Sequence, residues 1–207
     1  MVDTIELEGA YRRLLERVAA YQHRPFASDA QEVAWGGNQP GRAPLLKAAW
    51  AYAARIGFPP RHGTTLTVPR EAFGVTQIPL APGVEPYIEL KPGMSRASEF
   101  HILLHEITHA EIFRDSGASG QMLRNLALGR KTAERSEEML CEGAASVAEA
   151  ALGGIPAEFG IGRLRDLSHC RRCAGTCSTD GPAMLEASTP VTARYAAKLI
   201  AGVRGES

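Results

Sequence analysis

The chain of 207 residues is long enough to bury one hydrophobic core, and its apolar content of 44% is ordinary for a globular protein. Lys and Arg together number 23, as do Asp and Glu, so no net charge attracts nucleic acid or an anionic membrane. No run approaches membrane-spanning length, and the acidic start lacks the pattern of a signal peptide. We therefore expect a cytoplasmic protein that forms one domain over residues 1–207.

The N-terminal half is predicted to combine helices with short strands. An amphipathic pattern predicts a helix from Thr4 to Tyr21, and a loop rich in Gly, Pro, Asn and Ser separates it from a second helix at Leu45 to Ile56. Short β-branched or aromatic runs predict strands at Thr65 to Val68 and at Tyr87 to Leu90. The second of these leads directly to the next helix, so it is the best candidate for an edge strand that binds an extended peptide.

The most informative motif is the pentapeptide His-Glu-Ile-Thr-His at residues 105–109. On a helix, residues i and i+4 project from one face, so His105 and His109 can bind one metal ion while Glu106 lies beside the open coordination position. The opposite face of the same helix is apolar, formed by Phe100, Leu103, Ile107 and Ala110. This pattern indicates a zinc-dependent hydrolase with Glu106 as the general base.

A third zinc ligand is expected downstream, because catalytic zinc sites usually have three protein ligands and a water. No histidine follows His109 until His169, which argues against the metzincin pattern. A predicted helix over residues 132–149 instead carries four carboxylates on one face, Glu134, Glu138, Glu142 and Glu149. We predict Glu138 as the ligand and Glu142 as the acceptor of a hydrogen bond from a ligating imidazole. The spacing also allows Glu142 to be the ligand.

These motifs resemble a known family. Residues 105–110, 122–125 and 136–145 are similar to the metallopeptidase domain of ArdC-type antirestriction proteins and of related polyvalent-protein zincins of phages and plasmids. They are similar, more distantly, to zincins of the ImmA and IrrE kind. The resemblance implies a gluzincin with Glu138 as zinc ligand, encoded by a phage or another mobile element. It also implies an α+β, zincin-like fold that is mainly helical, with a small sheet beside the active-site helix.

A Cys-rich loop is predicted at residues 168–181, where three cysteines and a histidine fall within ten residues. A second, structural zinc bound by Cys170, Cys173, Cys177 and either His169 or Cys141 is one interpretation. A disulfide and free thiols are the alternatives. After this loop, residues 190–201 predict an Ala-rich helix that packs against the core.

The expected function is zinc-dependent hydrolysis of peptide bonds, with Glu106 accepting a proton from a zinc-activated water. The expected partner is therefore a peptide or protein substrate. The alternative is a non-catalytic or partner-specific regulatory protein of zincin fold, such as an antirestriction protein. The balanced net charge argues against nucleic-acid binding. Two clusters of basic residues, at 124–135 and 163–172, nevertheless leave a local nucleic-acid-binding patch as an alternative.

An oxyanion also needs a donor beyond zinc, and His101, His169 and Tyr195 are the candidates for it. His101 lies one turn before His105 on the same predicted helix face. The sequence does not choose among the three.

Overall fold

The computed structural model describes residues 2–20, 42–64, 72–81, 83–153, 161–165 and 181–206. This part of the chain is mostly helical with a small sheet, which agrees with the predicted α+β class. The helices are α1 (Thr4–Ala20), α2 (Arg42–Arg55), α3 (Arg96–Leu128), α4 (Arg130–Ala151), α5 (Gly181–Ala187) and α6 (Thr189–Arg204), and residues 161–165 are also helical. The strands are β1 (Pro60–His62), β2 (Gly74–Gln77) and β3 (Tyr87–Leu90). None of the described helices is both long and apolar enough to cross a membrane.

The sheet has the strand order β1-β3-β2. β3 is parallel to β1 and antiparallel to β2, with Thr76 opposite Ile88. The strand predicted at Tyr87 to Leu90 is confirmed, but its prediction as an edge strand is wrong, because β3 is hydrogen-bonded on both sides. Among the described strands, β2 is the edge strand that lies against α3. The strand predicted at Thr65 to Val68 falls outside the described residues.

Helix α3 carries the pentapeptide in its first half. The helix begins after Ser95, whose side chain accepts a hydrogen bond from the backbone N–H of Ser98. From residue 100 to 108 every residue is buried. At Gly117 the helical conformation is interrupted (φ 63°, ψ −178°), a backbone conformation that glycine adopts without a Cβ clash. The helix then resumes and carries residues 122–125 in its second half.

Helix α4 packs along α3 and forms the middle of the core. The four carboxylates predicted on one face lie on this helix, but Glu142 and Glu149 are buried whereas Glu134 is exposed. On its far side α4 contacts α6 and α1, and Gly143 allows a close approach of Tyr11. The apolar stripe of α1 predicted from the sequence is buried there, as is most of α6. Burial of the opposite surfaces therefore fixes the direction in which the pentapeptide of α3 and the acidic face of α4 point.

Candidate metal centre

The two histidines of the pentapeptide lie on one face of α3. Their ring centroids are 5.1 Å apart, and their side chains are 6% and 14% exposed for His105 and His109. Burial of the opposite, apolar face against the core fixes the direction in which both rings point. The sequence prediction that both imidazoles face a common point agrees with this arrangement.

Glu138 of α4 faces both imidazoles. Its Oε2 lies 3.3 Å from Nε2 of His105, and its Oε1 lies 3.3 Å from Nε2 of His109. These distances are longer than a good N–H···O hydrogen bond. They match the edge of a tetrahedral zinc site, where ligands about 2.0–2.1 Å from the ion lie about 3.3 Å from one another. The chemistry of the His-His-Glu donor set, and the two spacings to different oxygens of Glu138, are therefore compatible with a zinc ion.

The other nitrogen of each imidazole binds a second carboxylate. Nδ1 of His105 lies 3.1 Å from Oε2 of Glu142, and Nδ1 of His109 lies 2.8 Å from Oε1 of Glu137. A carboxylate can only accept, so each Nδ1 carries a proton and each Nε2 is directed at Glu138. Glu142 thus has the partner expected of a residue that fixes a ligand. Glu137 was missed as a partner of His109, although it directly precedes the predicted ligand.

Each supporting carboxylate also binds a cation through its second oxygen. Oε2 of Glu137 accepts a hydrogen bond of 2.8 Å from Arg124, which the second half of α3 brings back toward α4. Oε1 of Glu142 lies 2.7 Å from Nε2 of His101. The opposite nitrogen of His101 lies 2.9 Å from Oε2 of Glu149. A buried chain therefore runs from Glu149 through His101 and Glu142 to His105.

His101 is consequently not placed to stabilise an oxyanion. It is 1% exposed, and both ring nitrogens face carboxylates. Burial alone would lower its pKa, but Glu142 and Glu149 outweigh that effect and raise the pKa of His101 to about 10. Tyr195, another candidate, donates a 3.0 Å hydrogen bond to Asp115 and lies in neither of the cavities described below. His169, the third, is outside the described residues.

The pKa values of the candidate ligands reflect the same contacts. Burial opposes ionisation of Glu138, yet its interactions with His105 and His109 hold the pKa of this carboxyl well below its ordinary value. For Glu142 burial is likewise outweighed, mainly by His101 and then by His105, and the pKa is lowered. All the carboxylates around the imidazoles that show a shift are therefore stabilised as anions, the form that binds metal or accepts hydrogen bonds.

The general base proposed from the sequence, Glu106, lies against strand β2. Its side chain is buried, and its Oε2 lies 2.6 Å from the hydroxyl oxygen of Thr76. That hydroxyl is also 3.0 Å from the backbone oxygen of Glu106. It has one proton, and the shorter distance and the charge favour donation to the carboxylate. Gly74 permits this approach, since a Cβ there would lie 2.8 Å from Cγ of Glu106.

Cys141 is an alternative third metal ligand beside His105 and His109. The ligand atoms of His105, His109 and Cys141 lie within 4.8 Å of one another. Cys141 is a free, fully buried thiol, and burial, the largest effect, raises its pKa to about 12. It lines neither cavity, whereas Glu138 lines both. We favour Glu138 because a thiol must lose its proton to bind zinc and because a catalytic ion needs an open position.

Two cavities meet at Glu138. The larger, of about 450 Å³, extends past His109 toward Arg124 and Arg130. The smaller, of about 220 Å³, extends over His105 and Glu106. Its other walls come from the start of β2 and the two residues before it, from α3 and from the helical residues 161–165, through Ala72, Phe73, Gly74, Ile102 and Arg163. A ligand at the His-His-Glu cluster is therefore accessible from two sides.

The predicted cysteine cluster cannot be compared with the structure, because His169, Cys170, Cys173 and Cys177 are outside the described residues. Its assignment as a structural metal site stays a prediction. Comparisons of the whole chain with family models, with curated proteins and with solved structures found no match.

Proposed function

We propose that this protein is a zinc-dependent metallopeptidase of the gluzincin type. One observation carries the proposal: the Nε2 atoms of His105 and His109 lie at tetrahedral-edge distance from the two oxygens of Glu138. The carboxylates that bind both Nδ1 atoms support it, because such partners orient zinc-binding imidazoles. Zinc bound there would lower the pKa of a coordinated water and polarise a substrate carbonyl.

Glu106 is the proposed general base. It follows His105 directly and lines the smaller cavity together with His105 and Glu138. From this position it would accept a proton from the attacking water and return it to the leaving amine. The hydrogen bond from Thr76 would hold the carboxylate of Glu106 in its orientation before substrate binds.

The proposed substrate is a peptide in extended conformation. Strand β2 is an edge of the described sheet, and it lies beside Glu106. An extended peptide can hydrogen-bond to such an edge, which would place successive side chains on alternate sides. The two cavities on either side of Glu138 would then receive side chains that flank the scissile bond.

Metal content and cleavage test the proposal together. Elemental analysis should give one zinc per chain, lost in His105→Ala, in addition to any zinc bound by the cysteine cluster and lost in Cys173→Ala. Cleavage of β-casein and of a mixed-sequence peptide library should be abolished by Glu106→Gln, which keeps the zinc. Glu16→Gln, an exposed carboxylate of α1, is the matched control. Zinc binding without any cleavage that depends on Glu106 would favour the regulatory, non-catalytic alternative.

A further inference from the structure

An arginine that the sequence analysis treated only as part of a basic cluster lines the smaller cavity. Arg163 lies in the helical residues 161–165, whose neighbours Ile161 and Leu164 are buried in the core. Its side chain shares the cavity with His105, Glu106 and Glu138. A permanent positive charge therefore lies in the same small space as the proposed general base and the candidate metal ligands.

Within the described part of the chain, this guanidinium has no hydrogen-bonding or ion-pair partner. Its Nε is buried without an acceptor. The arginines of the larger cavity differ, since Arg124 donates to Glu137 and Arg130 donates to Glu134. Leaving Nε without an acceptor costs free energy. Arg163 as a whole is half-buried and lines the cavity, so a ligand there would meet the accessible part of its side chain.

Two acceptors that line the cavity with Arg163 already have other partners. Glu106 accepts from Thr76, and Glu138 faces the two imidazoles. Phe73 and Ile102 form apolar parts of the wall, and an apolar surrounding strengthens a hydrogen bond between charged groups. The described acceptors of the cavity therefore leave the guanidinium of Arg163 available to a ligand.

On the basis of the proposed function, we infer that Arg163 is a catalytic residue that binds the oxygen of the scissile carbonyl as it becomes an oxyanion. In this step the water transfers a proton to Glu106 and its oxygen bonds to the carbonyl carbon. The electron pair of the C=O double bond moves to the oxygen, which accepts a hydrogen bond from Arg163. When the tetrahedral species collapses, the C–N bond breaks and Glu106 gives its proton to the amine.

Arg163 shares the cavity with Glu106, whose negative charge is neutralised when it accepts the proton of the water. A carbonyl oxygen enters neutral and gains its charge only as Glu106 becomes protonated by the water. Stabilisation is then greatest in the transition state, as effective catalysis requires.

A binding experiment tests the inference without measuring activity. Zinc-loaded protein is titrated by calorimetry with inorganic phosphate, a tetrahedral anion, and with N-acetylcysteamine, a neutral thiol that binds zinc through sulfur alone. We expect Arg163→Met to weaken phosphate binding by about 10-fold or more, and to leave thiol binding and zinc content unchanged. Arg163→Lys should be intermediate. Arg13→Met, which removes an exposed charge of α1, is the control.

Two results of the titration would overturn the inference: unchanged phosphate affinity, or an equal loss for both probes, which would mean that Arg163 supports only the metal site. A wild-type protein that binds no zinc at His105 and His109 would instead contradict the proposed function. The two failures are therefore distinguishable.

Kinetics with any cleaved substrate separate the oxyanion role from capture of a carboxylate. Loss of an oxyanion donor lowers kcat by about 10²–10³-fold, and we expect Arg163→Met to do so with little change in KM. A change confined to KM, and to substrates that carry a carboxylate near the scissile bond, would refute the oxyanion role.

Discussion

The hydroxyl oxygen of Thr76 lies 2.6 Å from Oε2 of Glu106, and this contact joins the edge strand β2 to the helix that carries the candidate zinc ligands. The general base of the proposed reaction is therefore positioned by a residue of the sheet. A hydrogen bond to a charged group contributes about 1.5–3 kcal/mol, and a misplaced base loses rate directly.

Removing this hydroxyl should reduce turnover without removing zinc. Thr76→Val keeps the shape and β-branching of the side chain but cannot donate, so we expect kcat to fall about 10-fold or more. Thr76→Ser keeps the donor and should retain most of the activity. The measurement is kcat together with zinc content for both variants. Equal losses in the two would show that packing at position 76, not the hydrogen bond, is responsible.

A methyl group at position 74 should displace the same base. In Gly74→Ala the new Cβ would lie 2.8 Å from Oε1 of Glu106 and 2.9 Å from Cγ2 of Ile102. We expect a loss of about 1–3 kcal/mol in the free energy of unfolding, with a large fall in kcat. Gly9→Ala on α1 is the matched control, since its Cβ meets only the end of the Arg13 side chain at 3.4 Å. Urea denaturation of both variants gives the comparison.

Substitution of Glu138 and of Cys141 should distinguish the two possible third ligands. Glu138→Ala removes an anion at tetrahedral-edge distance from both imidazoles, so we expect zinc affinity to fall by at least about 100-fold. Cys141→Ala should leave the affinity nearly unchanged. The Co²⁺-substituted protein, prepared with Cys173→Ala so that the cysteine cluster contributes nothing, should lack a thiolate-to-metal charge-transfer band. Such a band, lost in Cys141→Ala, would show that the thiol is a ligand.

The buried His101 should make stability depend on pH in a defined window. Its pKa is about 10 in the folded protein, against an ordinary value near 6.5, because Glu142 and Glu149 outweigh the effect of burial. The folded state therefore binds this proton more tightly than the unfolded state does. The resulting stabilisation is complete below pH 6.5, decreases between pH 6.5 and 10, and is lost above that.

Urea denaturation of metal-free protein at several pH values measures this effect. Between pH 6.5 and 10 the wild type should lose on the order of a few kcal/mol from this source. Glu149→Gln, which removes one of the carboxylates that raise the pKa, should show a shallower dependence over the same range. An unchanged slope would mean that His101 is not the group that titrates.

Where short-range geometry decides, the sequence was sufficient to predict which side chains of the candidate site lie together. The spacing of His105 and His109 on an apolar helix fixes their common direction, and the acidic stripe of α4 includes Glu138 and Glu142 for the same reason. Helix boundaries were also close, since the predicted start at Thr4 is the observed start of α1. The helix boundaries and the directions of these side chains follow from the local periodicity of apolar residues.

The remaining contacts depend on tertiary arrangement, which periodicity does not encode. Thr76 and Arg163 lie 30 and 57 positions from Glu106, on elements whose packing against α3 no local pattern specifies. The prediction of β3 as an edge strand was wrong for a similar reason, because strand order depends on pairing between distant segments. His101 was one of three candidates for the oxyanion donor, because its helix face could be predicted but its burial beneath α4 could not.

Protons and a metal ion would compete for the Nε2 atoms of His105 and His109, which lie 3.3 Å from Glu138. In the metal-free protein burial lowers the pKa of His105, but Glu138 and Glu142 raise it above its ordinary value. The pKa of His109 is raised further, by Cys141, Glu137 and Glu138 against the same effect of burial. A zinc ion at the proposed site would have to displace a proton from each Nε2, so while both rings are protonated its apparent affinity should rise about 100-fold per pH unit. Acidification would then release a bound ion, while the same carboxylates keep both imidazoles oriented.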